Sequence, residues 1–377
     1  MIFYVTIAFI LLMNSSCALD SILGKNKGVL ITNNVLFFFW GILFIIFGGL
    51  RWLTGTDWNS YYPYFIDLYT WKQFNDGRFE IGYALLNFFI KSITPNFTVF
   101  LFVQALICVS LKMSVIKKIA IFPGFTLFLY FCYNIGDILA VRQSIAISIL
   151  MYSILSIQKK DIKQFIMLTF LATCIHNTSI IWIITYRLYW IRLSRKNIYC
   201  IFILCFTIVF VISKYYITIL NTFVSLLPEN IKIFRRISAK IYYYANSYGA
   251  ITSSFGLFLS FIKRLILLPI FLIVLKRNKN DTVYNGLLNI WIIGTVLYFL
   301  FATNLTVFQR LTTPFISVEF LLLPYILKIE KKPYLKPFVF FMISGYAILK
   351  LIKALNVYPD LYMPYYTIFN YVPRIMY

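Results

Sequence analysis

Apolar stretches long enough to cross a lipid bilayer recur from one end of this chain to the other, separated by short basic clusters. The run "NNVLFFFWGILFIIFGGL", residues 33–50, is representative. A helix needs about 17–25 mainly apolar residues to cross a hydrocarbon core of about 30 Å. Of 377 residues, 61% are hydrophobic and 12% charged, whereas soluble domains are charged at about a quarter of their positions. The pattern implies an all-α, polytopic transmembrane helical bundle that occupies 1–377 as a single integral membrane domain. A β-barrel would need alternating strands of about 10 residues, which is not how this chain reads.

The net charge of +23 has to be read with its location. Lys25/Lys27, Lys112/Lys117/Lys118, Lys159/Lys160/Lys163, Arg187/Arg192/Arg195/Lys196, Lys276/Arg277/Lys279 and Lys328/Lys331/Lys332 sit between pairs of apolar runs. Lysine and arginine mark cytoplasmic loops, so placing all these clusters inside orients the chain and gives about 12 spans. The expected spans include a retained first helix at 2–19 and an antiparallel pair at 162–178 and 179–194. "FEIGYALLNFFIKSI", 79–93, breaks the alternation if counted as a span, and reads as a re-entrant or interfacial helix on the outer face. Two outer loops follow, 51–80 and 221–255. The six cysteines lie mostly inside apolar runs without CxxC spacing and read as small core residues. GxxxxGK[ST], GxGxxG and DxD sequences are absent, so neither a nucleotide site nor a dedicated divalent-metal site is expected.

The outer face collects the chemistry. "RWLTGTDWNSYY" brings Arg51 and Asp57 together around a turn that Gly55 permits. Arg51 is either a snorkelling anchor or an anion-binding guanidinium beside a base. Glu80 heads the 79–93 helix and is either its N-terminal cap or a functional acid. "DILAVRQSIAISIL" sets Arg142 and Gln143 where an outer loop enters a span, able to donate several hydrogen bonds to an anion or to pair with Asp137. Ser144, Ala146 and Ser148 then form a small-residue face suited to close helix packing. His176, the single histidine, is a packed core residue or a proton acceptor. Arg235, Arg236 and Arg310 also face outward, against the positive-inside tendency, which points to an anionic ligand. Tyr61, Tyr62 and Tyr243 belong to tyrosine clusters that read as an interface belt or as stacking surface for sugar rings.

Taken in order, R-x3-G-T-D with Tyr61/Tyr62 at 51–62, F-E-I-G-Y at 79–83, R-Q-S-I-A at 142–146, H-N-T-S at 176–179 and the late Arg310 resemble the EpsG-like family of Wzy-type O-antigen and exopolysaccharide polymerases. The resemblance runs from about residue 33 to 330. It implies a multi-pass protein of the bacterial inner membrane with a glycosyltransferase fold of the C type. It further implies transfer of a glycan from its undecaprenyl diphosphate carrier onto another carrier-linked repeat unit, on the outer face, without metal or cofactor. The implied partners are carrier-linked oligosaccharides, membrane lipids, a chain-length regulator and a flippase, with no nucleic acid. In this reading arginines meet the leaving diphosphate. A base deprotonates the acceptor hydroxyl, with Asp57 ranked ahead of Glu80 and His176 third. The competing readings are a lipid-linked oligosaccharide flippase or polysaccharide transporter, and an O-antigen ligase.

Overall fold

A computed structural model describes residues 1–23, 27–55, 58–139, 142–225, 261–262, 264–301 and 308–370. Asp57, Arg235, Arg236 and Tyr243 lie outside the described residues. The elements are helices α1 Ile2–Leu23, α2 Lys27–Gly49, α3 Trp58–Ile66, α4 Trp71–Phe74, α5 Ile81–Ile93, α6 Phe97–Ile119, α7 Pro123–Tyr133, α8 Ile135–Leu139, α9 Arg142–Gln158 and α10 Ile162–Ile175. A 3₁₀ helix, Asn177–Ile184, follows, then α11 Thr185–Leu188, α12 Arg195–Ser225, α13 Leu268–Arg277 and α14 Thr282–Phe301. After a second 3₁₀ helix, Phe308–Thr312, come α15 Thr313–Ile316, α16 Glu319–Leu322, α17 Pro324–Ile329, α18 Leu335–Val357 and α19 Pro359–Tyr362. Among the described residues the chain is helical, apart from one isolated antiparallel bridge between Arg51 and Thr367.

Among the described residues four stretches have the length and hydropathy to cross a membrane: Phe97–Ile119, Thr282–Phe301, Arg310–Ile329 and Leu335–Val357. Five further apolar stretches among the described residues are shorter, Phe3–Asn14, Asn34–Gly49, Ile81–Ile93, Pro123–Tyr133 and Ile162–Ile175, so a count of about 12 crossings goes beyond what these lengths establish. Their outward surfaces are apolar nonetheless. Ile81, Leu85, Phe89 and Ile93 form an exposed apolar row along α5, and Met167 and Phe170 are exposed on α10, as expected of faces that meet lipid.

The chain forms two compact units, one of residues 1–186 with 319–377 and one of 187–318. In the first, α6 packs on α2 and α9, and α9 packs on α10. The turn between α9 and α10 is set by Asp161, whose carboxylate accepts from Gln164 N at 2.9 Å and so satisfies an amide that the first helical turn leaves open. Ser144, Ala146 and Ser148 are all buried, so the small face of α9 is used for packing. Lys112, grouped by sequence with a basic cluster, is buried as well, its Nζ 5.4 Å from the centre of the Tyr130 ring.

The segment 179–194 is not the α-helical span that its hydropathy suggests. It is 3₁₀ to Ile184, a single turn to Leu188, and irregular beyond. In the second unit, Asn289 of α14 serves that irregular backbone by donating to Leu188 O at 2.9 Å and Ile191 O at 2.7 Å. Non-helical backbone at this depth needs such internal partners. The expected loops also differ from bare loops. The first carries α3 and α4, and α12 runs on to Ser225 inside the stretch assigned to the second.

Candidate functional site: a carboxylate held between arginine and histidine

Helix α5 is 13 residues long, about 20 Å, and turns Tyr83, Ala84, Asn87 and Ile90 inward. Its approach to α10 depends on Gly82. A Cβ there would lie 2.8 Å from both the carbonyl carbon and the oxygen of Cys174, backbone atoms that cannot swing aside. The close approach brings the start of α5 to the end of α10, where His176 closes the helix in an extended conformation.

Glu80 stands at that junction. It occupies the N-cap position of α5, yet its side chain makes no capping hydrogen bond. One carboxylate oxygen accepts from Arg142 Nη1 at 2.6 Å. The other accepts from the Asn177 amide at 3.3 Å, the first N–H of the 3₁₀ helix, and lies 3.8 Å from His176 Nδ1. That last distance is an ion-pair distance when the imidazole is protonated. The three side chains are 13–22% exposed, dry enough to strengthen their mutual field and open enough to be reached. Arg142 also lies 5.1 Å over the Phe79 ring, and its Nε is buried without a hydrogen-bond partner. The guanidinium is therefore aimed by one acid and one ring, with donor capacity to spare.

Arg51 is a different kind of residue. It is 1% exposed, and its Nη1 and Nη2 donate to Thr54 O at 3.2 Å and Gln104 Oε1 at 3.3 Å. Its Nε has no partner, and among the described residues no carboxylate pairs with it. Burial pulls the guanidinium down to about 10, still ionised at neutral pH. Gly55 holds the loop against it with φ +108°, and a Cβ there would meet Arg51 Nη1 at 2.8 Å and Leu139 O at 2.5 Å. Gln104 in turn donates to Ser144 Oγ at 3.4 Å, two residues along α9 from Arg142. A polar chain thus leads from Arg51 toward the Glu80 cluster.

The remaining candidates fall into three groups. Tyr61 is buried, its ring 5.3 Å from Phe79 and 5.5 Å from Tyr83, so it backs the cluster. Tyr62 is half-buried and stacks on Trp58 at 5.9 Å, with Trp52 and Phe97 edge-on. Gln143 is half-buried beside Arg142, and Arg310 is exposed in the second unit. Among the described residues no three His, Cys, Asp or Glu side chains are grouped so as to hold a metal ion. Sequence reasoning passed over Gln104 and the C-terminal segment 361–368, which closes over Arg51. Gln104 carried a usable signal, a lone amide in a long apolar run.

The profile of the EpsG family matches residues 34–367, nearly the whole chain. The chain belongs to the EpsG family. The match begins in α2, takes in Glu80, Arg142 and His176, and reaches past the motifs to the segment that covers Arg51. It matches none of the curated proteins and no solved structure. As an EpsG-family chain built of apolar helices, it is a membrane-embedded protein of the polysaccharide-polymerase-like kind.

Proposed function

We propose that this EpsG-family protein is a Wzy-type polysaccharide polymerase. It would join undecaprenyl-diphosphate-linked repeat units of an O-antigen or related surface glycan on the outer face of the bacterial inner membrane, through a multi-pass fold of about 12 crossings. The observation that carries this reading is the Arg142–Glu80–His176 arrangement.

The reaction needs two things from the protein. The acceptor sugar hydroxyl must lose a proton as its oxygen attacks the donor's anomeric carbon. The bond from that carbon to the carrier's diphosphate must break, with the electron pair leaving on the diphosphate. His176 takes the proton, and the Glu80 carboxylate, 3.8 Å away, stabilises the imidazolium that forms. Both carboxylate oxygens of Glu80 are already engaged, one by Arg142 and the other by the Asn177 amide, so its part here is to hold its neighbours in place. This puts His176 ahead of Glu80, whereas the sequence reading ranked Asp57 first, Glu80 second and His176 third; Asp57 lies outside the described residues. Arg142 meets the developing charge on the diphosphate, a task for which a planar, permanently charged fork is suited. The apolar outer surface of α5 and α10 gives the carrier's prenyl chain a lipid-side route to the cluster. Chain-length regulator and flippase remain its proposed partners.

The test is a polymerisation assay with carrier-linked repeat units and reconstituted protein. Products longer than one unit are expected from the parent. Single units consumed without chain growth, by transfer to another acceptor, would favour the ligase reading. Movement of units across the bilayer without bond formation would favour the transporter.

A further inference from the structure

Two of the stretches long and apolar enough to cross a membrane carry opposite charges, and the charges meet. Glu319 lies midway along Arg310–Ile329, at the start of α16, and Lys350 lies in the second half of Leu335–Val357, on α18. Lys350 Nζ donates to Glu319 Oε1 at 2.7 Å. The carboxylate is buried and the lysine half-buried. The ammonium also lies 4.0 Å from the centre of the ring of Tyr133, the last residue of α7, and 5.5 Å from that of Tyr346 on α18. Helix α7 sets rings against both stretches, Phe125 on Phe340 at 4.7 Å and Tyr130 on Phe320 at 5.7 Å. All these groups belong to the first unit, which the chain re-enters at Glu319.

Ionisable side chains inside spanning stretches are costly and rare, and those that persist face the interior and have a partner. Stability alone does not explain such a pair, because well-packed apolar residues of similar volume often do as well or better. Alignment does explain it. Apolar helices in lipid have no hydrophobic drive toward one alignment, since one apolar contact replaces another. A charge pair admits only one. Turning α18 by one residue, about 100°, or sliding it by one turn, about 5.4 Å, takes Lys350 off Glu319. What depends on that alignment lies about two turns further on. Helix α18 ends at Val357 and passes through α19 into the segment laid on the Arg51 loop. There Gly55 N donates to Leu361 O at 2.8 Å, Trp52 N to Tyr366 O at 2.9 Å and Ile368 N to Leu50 O at 3.0 Å. Backbone groups are the same at every residue and do not choose their own register, so the helix behind them has to set it.

We propose that Glu319 and Lys350 are a positioning pair inside the membrane, which fixes the rotation and depth of α18 and so sets the register of residues 361–368 on the Arg51 loop. The experiment uses full-length detergent-purified protein, its native cysteines replaced, with nitroxide labels on Lys72→Cys and Phe369→Cys. Both positions are exposed and both belong to the first unit. Pulsed electron spin resonance reads the distance between the labels. Lys350→Met takes the cation away from a buried carboxylate and should lower the thermal unfolding temperature, and Glu319→Met/Lys350→Met should restore it. Both variants should shift or broaden the label distance, by up to about 5 Å for a slip of one turn. Lys350→Arg should keep the parent's distance. The double methionine variant thus separates placement from stability. In the polymerisation assay it should be slower than the parent by up to about 10²-fold, the cost of a misplacement of about 1 Å. That readout alone rests on the polymerase reading, so a parent that makes no chains removes the reading and leaves the distance result standing. A double methionine variant that keeps the parent's distance, or a folded Lys350→Arg variant that loses it, overturns the proposal.

Discussion

Glu80 and Arg142, 62 residues apart in the chain, meet at 2.6 Å where α5 and α9 begin. The contact makes the acid an anchor for the arginine and, through its second oxygen, for the start of the 3₁₀ helix and for His176. Removing the acid therefore loosens three groups at once.

Arg142→Lys should impair polymerisation nearly as much as Arg142→Ala. An ammonium keeps the charge but loses the fork that engages Glu80 while leaving further donors for the diphosphate, and it loses the flat contact with Phe79. Initial rates of repeat-unit polymerisation, compared at equal protein level, check this. Full activity in the lysine variant would leave Arg142 with a role in charge only.

His176→Asn should lower polymerisation by about 10²–10⁴-fold, the usual contribution of a positioned base, with carrier binding retained. The sign of the pH dependence follows. A protonated imidazole cannot accept a proton, so parent activity should fall as pH drops, and the residual activity of the asparagine variant should not show that fall. A pH–rate profile of both proteins decides.

Gly82→Ala should be among the more damaging single-methyl changes in the chain. The added carbon meets backbone of Cys174 at 2.8 Å, which has to move, and α5 is pushed off α10 together with Glu80. The expected result is a lower thermal unfolding temperature together with lost activity. An alanine variant as stable and as active as the parent would show that the two helices do not need this approach.

Topology is tested by single-cysteine labelling with an impermeant reagent in a cysteine-free background. Thr56→Cys and Asn246→Cys should label from the periplasm, and Lys160→Cys and Lys279→Cys only after permeabilisation. Labelling of Lys160→Cys from outside would invert the orientation.

Hydropathy and charge spacing were enough to read an all-helical membrane chain, and short motifs in order were enough to suggest its family, because both are local properties. Glu80, Arg142 and His176 could each be named from sequence, but as separate residues with a bland alternative each. Glu80 read as a helix cap because an acid at a helix start usually is one. Only the close α5–α10 approach through Gly82 shows its carboxylate turned elsewhere. The stretch 179–194 was misread because hydropathy measures the preference for lipid and not the winding of the backbone. The strap over Arg51 was illegible for another reason. Much of its attachment is backbone hydrogen bonding between segments more than 300 residues apart, and such bonds leave no side-chain signature.

The central claim is that Glu80 organises a base and a diphosphate-binding arginine for glycan polymerisation. Its most direct measurement is the product-length distribution made from carrier-linked repeat units by reconstituted parent and Glu80→Gln proteins. Glutamine can still accept from the Asn177 amide but holds no charge for Arg142 or for an imidazolium. The account predicts long chains from the parent and almost exclusively unextended units from Glu80→Gln, with the variant folded. Parent-like chains from Glu80→Gln would contradict it.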